Sequence, residues 1–460
     1  MKVLLISNPP SRLQKPDFPP VGIASLGAIS HLSGHDTLLI DSSFLKISDI
    51  IRQACQFGPK IIGITCWTID KAMAWNLCQE LRKRTPSAVI IFGGPHASFF
   101  PAHIFKKTSA DAVVVGEGEE TFKEFLAALD TNCDFTGIKG LILRGPNDTA
   151  LNFKPRELIR NLDNLPVPFY QGFLNFSFLR YSGFSLLPKP TAAIISSRGC
   201  VFNCTYCAST RFWGRQWRCR SAGNILNEVE WLRENHRVRS IFFFDDNFTV
   251  DHQRVSIICN EFIRRKWNIV WSCCSHVKMV NKELLALMKR SGCLSIDFGV
   301  ESGSDRILNV INKKQTRSDI ERTFSMVLEA GIKPRAYLMV GNPGEDESTI
   351  DETIRMINII KPHSSIGAAI LWLLPGTAVY NDALLKGYIN DDFWLTNETV
   401  PYNLQEHSYR ELILLRRRLM YGIARGKGSK LALASYRLKN LYYRFPRLAI
   451  LRHLIPNIFK

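Results

Sequence analysis

Short apolar segments alternate with helix-length segments over residues 1–145. The apolar segments are rich in Val and Ile and largely continuous, which is typical of strands buried on both faces of a parallel sheet. The strand candidates are Lys2–Ser7, Thr37–Asp41, Ile61–Thr65, Ala88–Gly93 and Ala112–Val115. The alternation predicts a doubly wound parallel sheet with helices on both faces, and ligands are expected beyond the carboxyl ends of its strands.

The alternation resumes at residue 191 with longer helices. The strand candidates are Ala192–Ser197, Ser240–Asp245, Ile269–Cys274, Leu294–Val300, Arg335–Val340 and Gly367–Leu373. The helix candidates are Ala222–Glu234, His252–Arg265, Lys282–Arg290, Arg317–Glu329 and Glu347–Ile360. These six βα units predict a partial (β/α)6 barrel of the TIM type over residues 191–385, with its chemistry at the strand carboxyl ends. Residues 146–190 carry six prolines and predict a linker between the two units.

The composition is that of a globular protein. Hydrophobic residues make up 46% and charged residues 22% of the 460 residues, which excludes wholesale disorder. No apolar run reaches the roughly 18 residues of a membrane span. The apolar run at the N-terminus is too short for a signal peptide, so a cytoplasmic location is expected. The 12 cysteines are too sparse for a disulfide scaffold and are expected to be free thiols or metal ligands.

The net charge of +18 is concentrated at the C-terminus. Residues from Ser408 to Lys460 contain 13 Lys or Arg and one acid, Glu411. Three interpretations stay open for this tail: a helical cap with a solvated basic face, a contact with an anionic membrane surface or lipid-like substrate, and a contact with RNA phosphates. No recognised RNA module accompanies the charge, so nucleic acid is not expected as a partner. The predicted fold class is α/β: an N-terminal doubly wound Rossmann-like parallel sheet, a partial (β/α)6 TIM-type barrel and a basic, mostly helical extension over residues 386–460.

Three cysteines, Cys200, Cys204 and Cys207, fall within eight residues directly after a strand candidate. A loop there can curl three sulfurs around one metal centre, and thiolates are ligands of zinc and of iron–sulfur clusters. Zinc requires a fourth ligand, and Cys219, twelve residues further on, leaves that alternative open. A cubic iron–sulfur cluster held by three cysteines keeps one iron open, as a catalytic centre needs. Buried cysteines without a ligand are the third alternative.

The CxxxCxxC spacing after the first strand of a six-unit βα barrel resembles the radical S-adenosylmethionine enzymes. The resemblance implies that the three cysteines hold a [4Fe–4S] cluster and that the amine and carboxylate of S-adenosylmethionine bind its open iron. It also implies reductive cleavage of S-adenosylmethionine to a 5′-deoxyadenosyl radical. The aromatic residue before the third cysteine, Tyr206, is expected to pack near the adenine.

The resemblance extends to four motifs that follow the second, fourth, fifth and sixth barrel strands. Carboxylates there can accept hydrogen bonds from the methionine ammonium and the ribose hydroxyls, and glycines allow a close backbone approach. The residues implied are Asp245, Asp246 and Asn247 for the amine, Glu301 and Ser302 for the ribose and carboxylate, Val340 and Gly341 near the adenine, and Pro375 after the sixth strand.

One departure concerns the third barrel strand, after which related enzymes often carry an arginine. Here His276 or Lys278 is the candidate substitute for that contact. Arg218 and Arg220 resemble the family's segment before the first barrel helix. They are candidates either for pairing with the cofactor carboxylate or for a surface position.

A doubly wound domain ahead of such a barrel resembles the cobalamin-binding subgroup. The residues implied for cobalamin are Gly22 after the first strand, Gly93, Gly94 and His96 after the fourth, and Gly116, Glu117 and Gly118 after the fifth. The DxHxxG histidine that ligates cobalt in many cobalamin domains is missing after the first strand, so a protein histidine is not expected below the cobalt. The rival interpretation, a nucleotide-binding domain, lacks the GxGxxG fingerprint after the first strand.

The resemblance implies a cobalamin-dependent radical enzyme that functionalises an unactivated carbon, with methyl transfer as the subgroup's commonest outcome. Its expected partners are a small-molecule or lipid-like substrate and an electron donor such as flavodoxin or ferredoxin. The alternatives are radical cyclisation or rearrangement without methyl transfer and, in another class, a non-catalytic cobalamin-binding sensor. A methylthiotransferase acting on RNA is disfavoured because no second cysteine triad occurs in the N-terminal region.

Overall fold

The computed structural model describes residues 1–10, 15–151, 153–183, 186–396, 401–403, 405–426 and 428. The predicted fold class is confirmed: a parallel sheet with helices on both faces precedes an open, curled parallel sheet, and a helix follows at the C-terminal side. The residue boundaries assigned to the domains stay predictions.

The N-terminal sheet contains the five predicted strands, with shifts of one residue at some ends. Its strands are β1 (Lys2–Ile6), β2 (Asp36–Ile40), β3 (Ile61–Thr65), β4 (Val89–Gly93), β5 (Ala112–Val114), β6 (Leu141–Arg144) and β7 (Ala150–Leu151). The spatial order is β2-β1-β3-β4-β5-β6-β7, with parallel pairing as far as β5. Sequence analysis missed β6 and β7, which pair antiparallel at the edge.

Helices cover both faces of this sheet. They are α1 (Val21–Leu32), α2 (Ile47–Phe57), α3 (Lys71–Arg84), α4 (Pro95–Phe99), α5 (Pro101–Lys107) and α6 (Glu119–Thr131). Because side chains alternate along a strand, Val3 and Leu5 pack on the face of α1 and α6, whereas Leu4 and Ile6 pack on the face of α2 and α3. The helix that follows β1 and the helix that follows β3 therefore lie on opposite faces, which makes the β1/β3 boundary the topological switch point.

The second sheet contains the six predicted barrel strands, and they pair in sequence order. A short ribbon is inserted after its first strand, so that the strands in chain order are β8 (Thr191–Ile194), β9 (Ser197–Arg198), β10 (Arg218–Cys219), β11 (Ser240–Phe243), β12 (Val270–Ser275), β13 (Cys293–Glu301), β14 (Lys333–Val340) and β15 (Ser364–Ile370). The spatial order is β15-β14-β13-β12-β11-β8 and every pairing is parallel, which gives an open half-barrel. The antiparallel ribbon of β9 and β10 was not predicted.

The helices of the second half confirm the predicted ones and add short ones. They are α7 (Ser209–Phe212), α8 (Ala222–His236), α9 (His252–Arg264), α10 (Lys282–Arg290), α11 (Asp305–Val310), α12 (Arg317–Glu329), α13 (Glu347–Ile360), α14 (Ala378–Leu385) and α15 (Tyr409–Gly426). Among the described helices, none is long and apolar enough to cross a membrane.

The described part of the basic extension is a helical cap on the barrel. Helix α15 buries Leu412, Leu415 and Leu419, and Arg418 pairs with Glu347 and Asp351 of α13. Of the predicted basic segment, Lys427 and residues 429–460 lie outside the described residues. The interpretations as a membrane or phosphate contact depend on that part of the chain and stay predictions.

The two halves share one continuous hydrophobic core. Residues of β1, α1 and α6 join the barrel core through Tyr170, Phe173 and Phe178 of the predicted linker. Tyr170 is fully buried, and its hydroxyl donates to the carbonyl of Ala193 in β8 (3.4 Å). The linker is therefore a packed part of the interface between the halves.

A second contact between the halves lies around His96 of α4. This histidine is fully buried among Trp75, Phe100, His103 and Trp394, the last of which comes from the segment after the barrel. Neither ring nitrogen of His96 has a hydrogen-bond partner. Burial, followed by the charge of Lys71, lowers the pKa of His96 from 6.5 to about 3. The folded protein thus keeps this imidazole neutral.

We expect the unfolding free energy to fall as the pH drops below 6.5. The unfolded chain takes up a proton at His96 that the folded chain excludes, which costs about 1.4 kcal/mol per pH unit. Denaturant titrations at neutral pH and about one unit below 6.5 measure the difference. His96→Phe is expected to lessen this pH dependence by about 1 kcal/mol over that interval. The exposed His31→Phe is the control, and an equal pH dependence in the two variants would contradict the assignment.

Candidate active site

The cysteine loop begins at a fixed point because a buried carboxylate holds the end of β8. Asp245 Oδ1 accepts from the backbone N–H groups of Ser196 (2.6 Å) and Ser197 (3.1 Å). Arg254 donates to the carbonyl of Ser196 (3.0 Å) and lies 3.8 Å from the Asp245 carboxylate. Asp245 is therefore a positioning residue for the loop, and its predicted contact with the methionine amine is not supported, because its oxygens are already occupied.

The thiols of Cys200, Cys204 and Cys207 lie partly buried on one loop, and none forms a disulfide. The charges of Cys200 and Cys204 act on the Cys207 thiol, and the charge of Cys204 acts on the Cys200 thiol, so the three sulfurs lie near one another. Burial raises the pKa of Cys207 to about 11, and it raises the pKa values of Cys200 and Cys204 as well. A group that carries positive charge would replace the protons and stabilise the thiolates, so the three residues fit a resident metal cluster.

The arrangement fits a cluster better than a single zinc ion. Among the described residues, no three His, Cys, Asp or Glu side chains converge closely enough to hold one metal ion. Cys219, the candidate fourth zinc ligand, lies in β10, where its thiol is influenced by Arg254 and Asp251 instead of the other cysteines. In an iron–sulfur cube each thiolate binds a different corner, so the ligands are spaced apart.

A buried network ties Tyr206 to the end of β13. The Tyr206 hydroxyl donates to Glu301 Oε1 (2.8 Å). Lys313 Nζ donates to the Tyr206 hydroxyl oxygen and to the same Glu301 Oε1, each at 3.0 Å. A Cβ at Gly299 would lie 2.6 Å from both Glu301 Oε1 and Lys313 Nζ, so a side chain at this position would displace their contact. Lys313, which sequence analysis did not single out, thereby joins the cysteine loop to the predicted ribose residue Glu301.

His276, the residue after the third barrel strand, packs against the cysteine loop. The ring of His276 stacks on Phe202 with centroids 3.8 Å apart. Its Nδ1 accepts from the N–H of Lys278 (3.2 Å), which leaves Nε2 to donate to the carbonyl of Lys313 (3.0 Å). The Lys278 ammonium pairs with Asp319 (3.1 Å). The suggested substitution for the family's arginine is therefore not supported for either residue.

The other predicted S-adenosylmethionine residues divide by exposure. Asp246 is exposed, and its charge acts on Cys200 and Cys207. Gly341 donates its N–H to Glu345 Oε2 (2.6 Å), which fixes the turn after β14. The buried ones are Asn247, Ser302, Val340 and Pro375. For these residues cofactor contact stays a prediction.

The predicted cobalamin glycines lie at the carboxyl edge of the N-terminal sheet. Gly22, Gly93, Gly94, Gly116 and Gly118 are each at least partly exposed there. At Gly94 the φ angle is +90° and a Cβ would lie 2.9 Å from Thr65, so the strand packing itself requires glycine. His96, in contrast, has no exposed surface, and its predicted role in cobalamin binding is not supported.

A cavity of about 190 Å³ opens at the β1/β3 switch point, where a doubly wound sheet binds its ligand. Its lining includes Asn8, Asp41 and Trp67, and the indole of Trp67 is 55% exposed. Sequence analysis missed these residues, although the strand order that defines the switch point could have located them. Phe18 also lines the cavity, and its ring stacks on Phe242 of the barrel with centroids 5.6 Å apart.

The cysteine loop is joined to the N-terminal sheet by buried ion pairs. Arg198, two residues before Cys200, pairs with Glu117 (2.9 Å) and with Glu119, both in the segment after β5. Arg218 of β10 pairs with the same Glu117 (2.9 Å). Burial opposes ionisation of Glu117, but Arg218 and Arg198 outweigh it and lower its pKa. Glu117 is therefore a residue of the junction, and its predicted role in cobalamin binding is not supported.

Comparison with known families matches both halves of the chain. The model described as the radical SAM superfamily matches residues 194–357, and the model described as the B12 binding domain matches residues 14–126. The first contains the cysteine loop and the network around Lys313, and the second contains most of the residues that line the cavity at the switch point.

Three similar proteins span most of the chain. An uncharacterized methyltransferase of Pyrococcus horikoshii is 31% identical over 428 residues, which cover 91% of both chains. The anaerobic magnesium-protoporphyrin IX monomethyl ester cyclase of Synechocystis is 30% identical over 331 residues, covering 69% of this chain and 65% of the cyclase. The structure of the radical S-adenosylmethionine methyltransferase TsrM from Kitasatospora setae, with cobalamin and a [4Fe–4S] cluster bound, matches with a TM-score of 0.69 at 19% identity, covering 83% of this chain and 75% of that chain.

We expect Glu117→Gln to lower the free energy of unfolding by about 3 kcal/mol. The substitution removes the negative charge with which the buried Arg198 and Arg218 both pair. Anaerobic denaturation curves measure the loss, and iron bound per chain reports whether the cysteine loop is displaced. Glu80→Gln removes a carboxylate from an exposed pair with Lys83 and is expected to cost less than about 0.5 kcal/mol. Equal effects of the two substitutions would show that the junction does not depend on Glu117.

Proposed function

The chain belongs to the radical SAM superfamily, in the group that carries a B12 binding domain, and from this premise we propose that it is a cobalamin-dependent methyltransferase. It is a radical SAM enzyme, and the family implies a [4Fe–4S] cluster, S-adenosylmethionine and cobalamin as its cofactors. When bound, the cluster supplies the electron that cleaves S-adenosylmethionine, and cobalamin supplies a methyl group.

One observation carries the proposal: the cavity for the N-terminal ligand adjoins the mouth of the barrel. Phe18 lines the cavity at the switch point and stacks on Phe242, while Phe244 lies 6.2 Å from the same ring. A corrin that lies across the opening of this cavity and a nucleoside at the cysteine loop would therefore face one space. Such a space excludes water and brings the two cofactors to one substrate.

The residues of the cysteine loop have separate tasks in this proposal. Cys200, Cys204 and Cys207 hold the cluster. Asp246, which is exposed beside two of them, accepts hydrogen bonds from the methionine ammonium. Tyr206, held by Glu301 and Lys313, packs against the adenine.

The edge of the N-terminal sheet would hold cobalamin through backbone and aromatic contacts. The glycines after β4 and β5 allow close approach of the nucleotide tail. Trp67 presents an exposed side chain beside the cavity, and Asn8 Oδ1 fixes the position of this residue by accepting from its backbone N–H (2.9 Å). We infer that His96 does not bind the cobalt, because its ring is enclosed in the junction.

The enzyme acts on a small molecule and takes electrons from an external reductant, as radical SAM enzymes do. We propose flavodoxin or ferredoxin as that reductant. The predicted cytoplasmic location and a peripheral membrane contact of the basic tail stay hypotheses.

Methyl transfer is favoured over radical cyclisation because the match covers a larger share of the methyltransferase relative than of the cyclase relative. The methyltransferase relative matches over 91% of its own length, whereas the cyclase relative matches over 65%. A non-catalytic cobalamin sensor would have no use for the three clustered thiols.

We expect the anaerobically reconstituted protein to form deoxyadenosine and to transfer a labelled methyl group from S-adenosylmethionine to a component of a cell extract. Cys204→Ala is expected to abolish both, because the cluster loses one of its three thiolate ligands. Cys133→Ala removes an exposed thiol of the N-terminal half, outside the cysteine loop. It is the matched control and is expected to retain both activities. Mass spectrometry of deoxyadenosine and of labelled products measures the result.

Two outcomes would contradict the proposal. Deoxyadenosine without any label transfer would assign the protein to radical cyclisation or rearrangement. Full activity of Cys204→Ala would exclude the cluster from the reaction.

A further inference from the structure

A row of polar side chains crosses the inner face of the half-barrel. In the sheet register Cys274 of β12 lies beside Asp297 of β13, and Asp297 lies beside Arg335 of β14. The alternate residue Phe298 packs outward on Phe324 of α12 (5.5 Å), so Asp297 faces the lumen. Cys274 and Tyr337 are partly exposed to this lumen, whereas Asp297 is 1% exposed beneath them.

The carboxylate of Asp297 is satisfied on one oxygen. Its Oδ2 accepts from Arg335 Nη1 and from the Tyr337 hydroxyl, each at 3.2 Å. Its Oδ1 is buried and has no hydrogen-bond partner. A buried carboxylate oxygen without a donor is costly, and a carboxylate with a purely structural role normally has both oxygens satisfied.

The row extends to the cysteine loop. In the sheet register Phe243 of β11 lies beside Cys273 of β12, so Phe244 is level with Cys274. Phe244 directly precedes Asp245, which holds the start of the cysteine loop. Apolar surface adjoins the row, because Phe244 follows β11 at the same level and is 55% exposed. A molecule seated on the row would thus lie between the cysteine loop and the aromatic rings around Phe18.

We propose that Asp297 Oδ1 binds a neutral hydrogen-bond donor of the substrate, a hydroxyl or an N–H, so that the substrate is a water-soluble small molecule with an apolar portion. This inference rests on the proposed function, because it takes the lumen as the place of the reacting carbon. Arg335 already supplies the opposite charge for Asp297, so the remaining oxygen needs a donor without a charge. A pure hydrocarbon chain would leave Oδ1 unpaired and buried deeper, which argues against it.

The test uses the reconstituted holoenzyme and measures which fraction of a cell extract stimulates deoxyadenosine formation. One fraction contains water-soluble small molecules and the other contains lipids extracted into organic solvent. The proposal expects stimulation by the water-soluble fraction. Methyl label is followed in parallel, so that failure of methyl transfer is distinguished from failure of the lumen assignment.

Asp297→Asn tests the oxygen itself. Arg335 and Tyr337 both donate, so the amide oxygen stays with them and Nδ2 replaces Oδ1, which turns an acceptor into a donor. The amount of water-soluble fraction needed for half-maximal stimulation is expected to rise about tenfold, the value of one lost hydrogen bond. The exposed Asp36→Asn is the matched control and is expected to leave it unchanged.

The double variant Asp297→Asn/Arg335→Gln guards against misfolding, because it removes both charges of the pair. It is expected to bind iron as the wild type does and to show the same tenfold rise. Stimulation by the lipid fraction alone would overturn the proposal. So would half-maximal stimulation within twofold of the wild type in both variants, or a wild-type enzyme that neither fraction stimulates.

Discussion

The junction between the two α/β halves depends on the ion pairs that the buried carboxylate of Glu117 forms with two arginines. Glu117 lies in the segment after β5 of the N-terminal half, yet both of its arginine partners belong to the ribbon that frames the cysteine loop. Burying the two arginines without Glu117 would be costly, so the ion pairs favour the arrangement that places the loop beside this segment. Hydrophobic burial holds the halves together, and the ion pairs fix their register, because apolar contacts alone are not directional.

The fold could be predicted from the sequence because its elements are local patterns. The continuous apolar segments and the helix-length segments between them predicted the five parallel strands of the N-terminal sheet and the six strands of the half-barrel. The pairs that were missed have no such pattern. Strands β9 and β10 have two residues each, and their residues Arg198 and Arg218 pair with the same distant carboxylate. The edge strands β6 and β7 have four and two residues, which is too short for periodicity to reveal.

The candidate site was predictable in its chemistry and less so in its contacts. Spacing alone singled out the three cysteines, because the ligands of a cluster on one loop must be close in sequence. Sequence analysis did not single out Lys313, because nothing in the local pattern shows that a lysine twelve residues after Glu301 folds back onto it. The burial of His96 and Glu117 was not predicted for the same reason. It comes from contacts with Trp394 and Arg198, which belong to the other half of the molecule and are distant in sequence.

The acidic residues of the site separate into two groups by how fully their oxygens are used. Asp245 and Glu117 accept from backbone amides or arginines within the protein, so they support the loop and the junction. Asp246 is exposed beside the cysteines, and Asp297 keeps one oxygen without a donor in the lumen. Asp245 and Asp246 are neighbours in the motif that follows β11. Asp245 accepts from the buried backbone of Ser196 and Ser197, whereas Asp246 is exposed and accepts from the Ser209 hydroxyl. A motif therefore names the place of a site, whereas unsatisfied hydrogen-bonding capacity indicates which of its residues are available to a ligand.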